Sequence, residues 1–252
     1  MKKFIFTDLD RTLFPNGEQS IDANSMSNFK NLLDENNVGI VFVTGRYKEL
    51  VFEGIKEFNP PSPMHCICDV GTSIYDKDFN RLSEWDEVLR SKWKDHNRFF
   101  VKELLEEFSF LREQESVKLN DFKQSYYLKA EDKNKVELIK NKLEEEGVPC
   151  EVIYSYDVNE KIGLLDIQPR GVTKKGAIDF LIKKLSIRKE NVLYSGDSGN
   201  DVHALLGGYK GVLVGNASKE LKEELKGKVF VSNKCFVEGI IDGAYNYSFF
   251  SK

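Results

Sequence analysis

Short apolar runs alternate with amphipathic segments over the first third of the chain. The runs FIFTD, VGIVFVTG and MHCICDVG are separated by helical patterns near residues 25–36 and 48–58. Nearly continuous apolar strands divided by helices are typical of a parallel sheet covered on both faces. The same rhythm returns in a helical pattern over about 175–185 and in the segments NVLYSGDS, HALLGG, KGVLVGN and KVFVS. The two stretches together predict one α/β fold.

The pattern changes between about residue 82 and residue 165. A charged helical region, SEWDEVLRSKWKDHNRFFVKELLEEF, is followed by the strand pattern QSYYLKA, the helix pattern KNKVELIKNKLEEEG and the strand patterns CEVIYS and GLLDIQ. Helices and strands without regular alternation are typical of a separate α+β module. We therefore expect a core of residues 1–81 and 166–252, interrupted by an inserted domain of residues 82–165.

The composition argues against nucleic acid and membranes as binding partners. The 252 residues carry a formal net charge of -4 with acidic and basic residues mixed along the chain, so the sequence offers no basic field for nucleic acid. The apolar part of MKKFIFTDLD is too short for a signal sequence, and no stretch reaches the length of a membrane span. We expect a cytoplasmic protein with no nucleic-acid and no membrane partner.

The four cysteines show no pairing motif. His65, Cys66 and Cys68 offer donor atoms for a metal, but the run MHCICDV is more typical of a buried strand, where free cysteine is common. We therefore predict a strand here, with a metal site as the alternative.

Two carboxylates close the first predicted strand. Asp8 and Asp10 in FIFTDLDRT are two residues apart, and strand periodicity places such positions on one side of the chain. The carboxyl ends of strands in open α/β sheets are where ligands bind. The sequence thus predicts a site with two carboxylates, with a pair of solvated turn aspartates as the alternative.

A second acidic cluster, GDSGND, follows the strand pattern NVLYS. Asp197, Asn200 and Asp201 lie where a helix is predicted to begin, so helix capping explains one or two of them. Capping does not explain a strand end that carries two glycines, two aspartates and an asparagine. We therefore keep a functional site as the stronger prediction.

Two further segments add groups that can hold an anion. The strand VGIVFVTGR ends at Thr44, Gly45 and Arg46, where a hydroxyl and backbone amides can bind a phosphoryl group. The segment GVTKKGA places Lys174 and Lys175 before an apolar helix. Each feature alone is also ordinary turn or surface chemistry, and only their order along the chain makes the combination specific.

These four segments, DLDRT, VFVTGR, the lysine of GVTKKGA and GDSGND, resemble the four motifs of the haloacid dehalogenase-like phosphatase superfamily. An insertion between the second and third motifs resembles the type IIB cap group. The stretches CDVGTSIY, LSEWDEVLRSKW, FKQSYYL and LLDIQPRGVTKKGA look like those of sucrose-phosphate phosphatases. The resemblance implies a Rossmann-like catalytic core with an α+β cap.

The resemblance also implies roles for individual residues. Asp8 would be the nucleophile and Asp10 the general acid and base, with Thr44 and Lys174 holding the phosphoryl oxygens. Lys174 is preferred to Lys175 because the family lysine stands three residues before a small residue, here Ala177. The implied cofactor is Mg²⁺, and the implied metal-binding residues are Asp8, Asp10 through its backbone carbonyl, Asp197 and, in support, Asp201. Gly45, Arg46 and Asn200 would lie near the phosphoryl group.

Substrate selection is expected in the inserted domain. Lys123, Gln124 and Ser125 lie on or beside the strand pattern QSYYL, and their polar side chains can bond sugar hydroxyls. An ordinary solvated strand face is an equally good interpretation. Trp85 and Trp93 are eight residues apart on a predicted helix, a spacing that favours core packing over stacking on a sugar.

One position departs from the family pattern, because Arg11 stands where relatives usually carry Gly or Asn. It leaves the implied nucleophile untouched but adds a bulky cation beside the mouth of the site, so the substrate preference of relatives does not transfer simply. The leading hypothesis is a magnesium-dependent phosphatase of small sugar phosphates such as sucrose 6-phosphate. The alternatives are a hexose-phosphate phosphomutase, a phosphatase of broad specificity, and a binding module that has lost its chemistry.

Overall fold

The computed structural model describes residues 2–16, 20–22, 24–157 and 160–251. Its strands follow in chain order: β1 (Lys3–Thr7), β2 (Val38–Val43), β3 (His65–Cys68), β4 (Ser73–Asp76), β5 (Arg112–Glu113), β6 (Gln124–Lys129), β7 (Cys150–Asp157), β8 (Ile162–Pro169), β9 (Val192–Gly196), β10 (Lys210–Leu213) and β11 (Phe230–Val231).

The helices follow in the same way: α1 (Ser25–Glu35), α2 (Lys48–Phe58), α3 (Ser83–Trp93), α4 (Arg98–Leu105), α5 (Val136–Glu145), α6 (Lys174–Lys184), α7 (Val202–Leu205), α8 (Lys219–Leu225) and α9 (Phe236–Asn246). Among the described residues, no helix combines the length and the apolar character that a membrane crossing needs.

The larger sheet has the strand order β11-β10-β9-β1-β2-β3-β4. Neighbouring strands from β11 to β3 run parallel, and only the edge strand β4 pairs in the antiparallel direction, with β3. The predicted α/β class is therefore confirmed. The antiparallel hairpin of β3 and β4 was not predicted. Residues 69–72 form a short turn between the two strands, so this segment lacks the alternation of strand and helix from which the other strands were predicted.

Burial explains why the central strands read as continuous apolar runs. Every residue of β2 and of β9 is buried, as expected for strands covered on both faces. The predicted strand at MHCICDV is also confirmed, since Cys66 and Cys68 are fully buried in β3. Because these strands are fixed by packing on both sides, their carboxyl ends hold loop residues in defined positions.

The chain divides into two compact units, residues 1–81 with 174–252 and residues 82–173. The second unit contains an antiparallel sheet with the order β5-β6-β8-β7. The boundary expected after residue 165 falls inside β8, whose register with β6 and β7 extends to Gln168 and Pro169. Hydrogen bonds along a strand tie it to one sheet, so residues 166–173 stay with the inserted unit.

The first helical region of the inserted unit is broken in two. Lys94 follows α3 with a φ of 52°, and the side chain of Asn97 caps α4 by accepting hydrogen bonds from the backbone of Phe99 and Phe100. Trp85 and Trp93 on α3 are each only 2% exposed. The core-packing interpretation of the two tryptophans is therefore confirmed.

Candidate functional site

Parallel pairing brings the ends of three strands to one edge of the larger sheet. Thr7 at the end of β1 lies opposite Phe42 of β2 on one side and Ser195 of β9 on the other. The residues that follow these strands must therefore emerge side by side. Asp8, Thr44 and Asp197, which are far apart in sequence, are brought together in this way.

The ammonium of Lys174 lies at the centre of the site. Its Nζ is 2.9 Å from Oδ1 of Asp8 and 2.8 Å from Oδ1 of Asp201, and all three side chains are at least nine-tenths buried. It also donates to the Asn200 side-chain oxygen at 3.3 Å. Lys175, in contrast, pairs with Asp179 at 2.5 Å and is about one-third exposed. The structure thus places Lys174, and not its neighbour, against the predicted nucleophile.

Asp201 has several hydrogen-bond partners besides Lys174. Its Oδ1 accepts a 2.6 Å hydrogen bond from the hydroxyl of Tyr194, and its Oδ2 accepts from the backbone N–H groups of Asp197 and Ser198. With Ser198 it forms a reciprocal capping box. The capping interpretation of GDSGND is therefore correct for Asp201, and the same carboxylate also orients Lys174.

Burial of several carboxylates together shapes the electrostatics of the site. Desolvation raises the pKa of Asp8 well above its usual range; Lys174 opposes the shift, and Asp201 and Asp197 add to it. Burial, followed by the charge of Asp201, raises the pKa of Asp197 to about 6. Burial lowers the pKa of Lys174, but Asp201 and Asp8 outweigh it and raise the pKa overall. The site concentrates negative charge that one lysine does not balance.

Three of these carboxylates fit a divalent cation. Single oxygens of Asp8, Asp197 and Asp201 lie within 4.8 Å of one another, and all three residues are buried. Hard cations such as Mg²⁺ prefer oxygen ligands. Since Asp201 already accepts several protein hydrogen bonds, Asp8 and Asp197 are the better placed direct ligands.

The Asp10 carboxylate does not belong to this group and is turned towards Arg46. The guanidinium donates from Nε to Oδ2 at 2.8 Å and from Nη2 to Oδ1 at 2.5 Å, and Asn16 donates to Oδ1 at 2.8 Å. Such a bidentate pair fixes the orientation of the carboxylate as well as stabilising its charge. Arg46, predicted to bind substrate, is therefore engaged with Asp10.

The loop after β2 is braced by the loop after β3. Thr44 donates its backbone N–H to Ile67 and accepts one from Val70 at its carbonyl oxygen, and Asp69 donates to the carbonyl of Arg46. The Thr44 hydroxyl oxygen accepts from the backbone N–H of Arg46 at 3.1 Å. That bond leaves the hydroxyl proton able to donate to an anion. Among the described residues, a Cβ added at Gly45 would have only Val70 within 4 Å, at 3.8 Å, so an anion can approach the backbone there.

Arg11 lies beside Asp197. Its Nε is 3.2 Å from Oδ2 of Asp197, while the Thr12 hydroxyl donates to Oδ1 at 3.4 Å. The Arg11 backbone has a φ of 59°, a conformation that Gly and Asn adopt more readily than Arg. The departure from the family pattern therefore places a cation against a predicted metal ligand.

The residues predicted for the inserted unit do not share one face. Ser125 donates to Asp166 at 2.6 Å, and Lys123 lies 3.7 Å from the same carboxylate. Gln124 is fully buried and donates to Glu113 at 2.9 Å. Since neighbours along a strand point to opposite faces, Lys123 and Ser125 face one side and Gln124 the other.

Sequence reasoning missed the side chains that support the site. Tyr194 lies inside an apolar strand pattern, Asn216 stands in a turn and Asn16 lies outside any helix or strand, so none carries a motif signal. Arg46 was noted, but its contact with Asp10 joins residues 36 apart in the chain. Only the register of β1 with β2 brings the two together.

Residues 1–248 of the chain match the model of a family described as sucrose-6F-phosphate phosphohydrolase. A putative HAD-like hydrolase of Nitrosococcus oceani is 34% identical over 88% of this chain and 62% of its own length. Sucrose-phosphatase 1 of Nicotiana tabacum is 32% identical over 86% of this chain and 51% of its own length. The chain thus spans between half and two-thirds of the length of these relatives.

Solved structures show the same fold. The sucrose-phosphatase of Synechocystis sp. PCC6803, solved in complex with sucrose and phosphate, superposes over 100% of both chains with a TM-score of 0.85 and 23% identity. A subclass IIB sugar phosphatase, BT4131, covers 98% of this chain and 99% of its own, with a TM-score of 0.63 and 18% identity. These structures therefore share the fold of this chain.

The two glycines of GDSGND provide a matched test of the site geometry. A Cβ at Gly196 would lie 2.5 Å from the Cβ of Asp201, whereas a Cβ at Gly199 would meet nothing within 4 Å. We expect Gly196→Ala to lower the free energy of unfolding by about 1 to 3 kcal/mol, because Asp201 is held by several bonds and cannot move away. Gly199→Ala should change it by less than about 0.5 kcal/mol. Urea unfolding of both variants measures the difference, and equal losses would show that Asp201 does not pack as described.

Proposed function

Because the chain belongs to the sucrose-6F-phosphate phosphohydrolase family, within the haloacid dehalogenase-like hydrolases, we propose that it is a magnesium-dependent phosphomonoesterase of small sugar phosphates. The observation that carries this proposal is the buried cluster in which Lys174 lies 2.9 Å from Asp8 and 2.8 Å from Asp201. A carboxylate next to a fixed ammonium and other oxygen donors is suited to phosphoryl transfer, where positioning and charge neutralisation dominate.

In the first step an Asp8 carboxylate oxygen attacks phosphorus, and the bond between phosphorus and the sugar oxygen breaks. Lys174 holds Oδ1 of Asp8, which leaves Oδ2 as the attacking atom. The Thr44 hydroxyl and the Lys174 ammonium would bind phosphoryl oxygens, with Gly45 and Asn200 beside them. In the second step water attacks phosphorus, releases inorganic phosphate and regenerates the Asp8 carboxylate.

Asp10 is proposed to move the protons in both steps. It would give a proton to the leaving sugar oxygen and later accept one from the attacking water. Because Arg46 engages both Asp10 oxygens, one of these hydrogen bonds must open before Asp10 can donate a proton. Arg46 would in this way orient Asp10, which is a positioning role and replaces the expected contact with substrate.

Asp8 and Asp197 would hold the Mg²⁺ ion, with Asp201 in support and the Asp10 backbone carbonyl as a further ligand. Their buried oxygens lie close enough together for one ion. When bound, Mg²⁺ would neutralise charge on the phosphoryl oxygens in the transition state.

For the substrate we propose a phosphorylated disaccharide or hexose, with sucrose 6-phosphate as the first candidate. The names of the relatives support this choice, since they include sucrose-phosphatases and a mannosylfructose-phosphate phosphatase of Agrobacterium fabrum. The groups around Asp8 would contact only features that all phosphomonoesters share. Discrimination between sugars is therefore assigned to the unit of residues 82–173, acting as a cap.

The first experiment measures phosphate release from sucrose 6-phosphate, with Mg²⁺ or with a chelator and without any sugar bisphosphate. We expect turnover by the wild type only with Mg²⁺, and none by Asp8→Asn, because a neutral amide cannot act as the anionic nucleophile. Asp78→Asn, a matched change at an exposed carboxylate, should leave turnover unchanged. A folded Asp8→Asn variant that keeps its activity would refute the covalent mechanism.

A second experiment tests the role of the cap. Lys123 is buried beside Asp166, whereas Lys129, near the other end of the same strand pattern, is highly exposed. We expect Lys123→Ala to lower kcat/KM for sucrose 6-phosphate at least tenfold (about 1.4 kcal/mol) and to leave an aryl phosphate nearly unaffected. Lys129→Ala should affect neither substrate. Equal losses on both substrates would mean that Lys123 supports the fold or the chemistry instead of the sugar contacts.

A further inference from the structure

Arg11 is fixed at the rim of the carboxylate cluster by contacts that do not depend on Asp197. The side-chain N–H of Asn216 donates to the backbone carbonyl oxygen of Arg11 at 2.6 Å. The backbone carbonyl oxygen of Asn216 accepts from Nη2 of Arg11 at 3.4 Å. Asn216 is itself positioned by the backbone N–H of Phe236, which donates to its side-chain oxygen at 3.0 Å. The protein frame therefore directs the guanidinium towards Asp197.

The backbone conformation at Arg11 is unfavourable for an arginine. A φ of 59° is an uncommon conformation for a residue with a Cβ, and Gly or Asn would adopt it with less strain. Packing of a buried side chain does not explain why an arginine stands at this position, since about one-third of the Arg11 side chain is exposed. What distinguishes it from Gly or Asn is the cation that it holds 3.2 Å from Oδ2 of Asp197.

That cation acts on the residue assigned as a metal ligand. Oδ2 of Asp197 faces the guanidinium, and Oδ1 accepts a long hydrogen bond, 3.4 Å, from Thr12. An ion that approaches Asp197 meets the like charge of Arg11 and must share the carboxylate with it. Lys174 is farther into the cluster, on Asp8 and Asp201, so Arg11 is the cation that competes directly at Asp197.

We propose that Arg11 is a built-in competitor for the divalent cation, which weakens the affinity of this protein for Mg²⁺ by occupying Asp197. Arg11 is then a positioning residue that tunes the metal site and does not take part in the chemical step. This inference rests on the metal site of the proposed function. It predicts that removal of the guanidinium strengthens metal binding, the opposite of what loss of a structural contact would do.

The test is calorimetric titration of substrate-free protein with MgCl₂, which needs no catalytic turnover. R11N removes the charge and suits the backbone conformation, and its Kd for Mg²⁺ should fall about threefold to fivefold, as expected for a partly exposed ion pair. R11K keeps the charge and should stay within about twofold of the wild type. R188N makes the same change in net charge at Arg188, which pairs with Glu190 ahead of β9, and should leave the Kd unchanged.

The outcomes separate this inference from the proposed function. An R11N variant that binds Mg²⁺ as the wild type does, or more weakly, would overturn the competition, and so would an R11K variant with the same gain as R11N. D197A serves as the control for the site itself. If the wild type and D197A titrate identically, the metal site has been misplaced, and both proposals fail together.

Discussion

The site depends on the ion pairs that the buried ammonium of Lys174 makes with two carboxylates. The ammonium joins the residue after β1, the start of α6 and the loop after β9 through contacts of 2.9 Å to Asp8 and 2.8 Å to Asp201. Without it, two buried carboxylates would face each other, and an unpaired buried charge is among the most destabilising features a fold can contain. The contact therefore sets both the geometry and the charge of this edge of the sheet.

The other contacts of the site follow from the same balance between the Lys174 ammonium and the buried carboxylates. Tyr194 and two backbone N–H groups satisfy Asp201, which keeps it a support, while Asp8 and Asp197 remain the carboxylates best able to take up a cation. Burial raises the pKa of both, and the charges of neighbouring carboxylates raise it further, so a negative charge on either residue is unfavourable. A bound divalent cation would relieve the same repulsion, so metal binding and ionisation of Asp8 are expected to be coupled.

Much of this arrangement could be predicted from the sequence because it depends on local patterns. Apolar periodicity placed β1, β2 and β9, and the parallel order of the strands then determined which loops meet. The choice of Lys174 over Lys175 came from the family resemblance, in which the lysine stands three residues before a small residue, and the contacts of both lysines agree with that choice. The burial of the two tryptophans of α3 also followed from their helical spacing.

Other features depend on contacts that no local pattern encodes. Arg46 reaches Asp10 only because two strands pair in register, and the inserted unit keeps residues 166–173 because β8 hydrogen-bonds to β6 and β7. Gln124 was grouped with Lys123 from sequence, although alternation along β6 turns it towards Glu113. In each case the outcome is decided by a pairing partner distant in sequence.

The proposed mechanism requires that Asp8 becomes covalently phosphorylated. Acid quenching of the protein during turnover of sucrose 6-phosphate, followed by peptide mass spectrometry, tests it directly, because low pH preserves an acyl phosphate long enough for detection. We expect the added mass of one phosphoryl group on the peptide that contains Asp8, and its absence in a sample quenched before substrate is added. Turnover with no phosphorylated peptide, or with the phosphoryl group on a different residue, would contradict it.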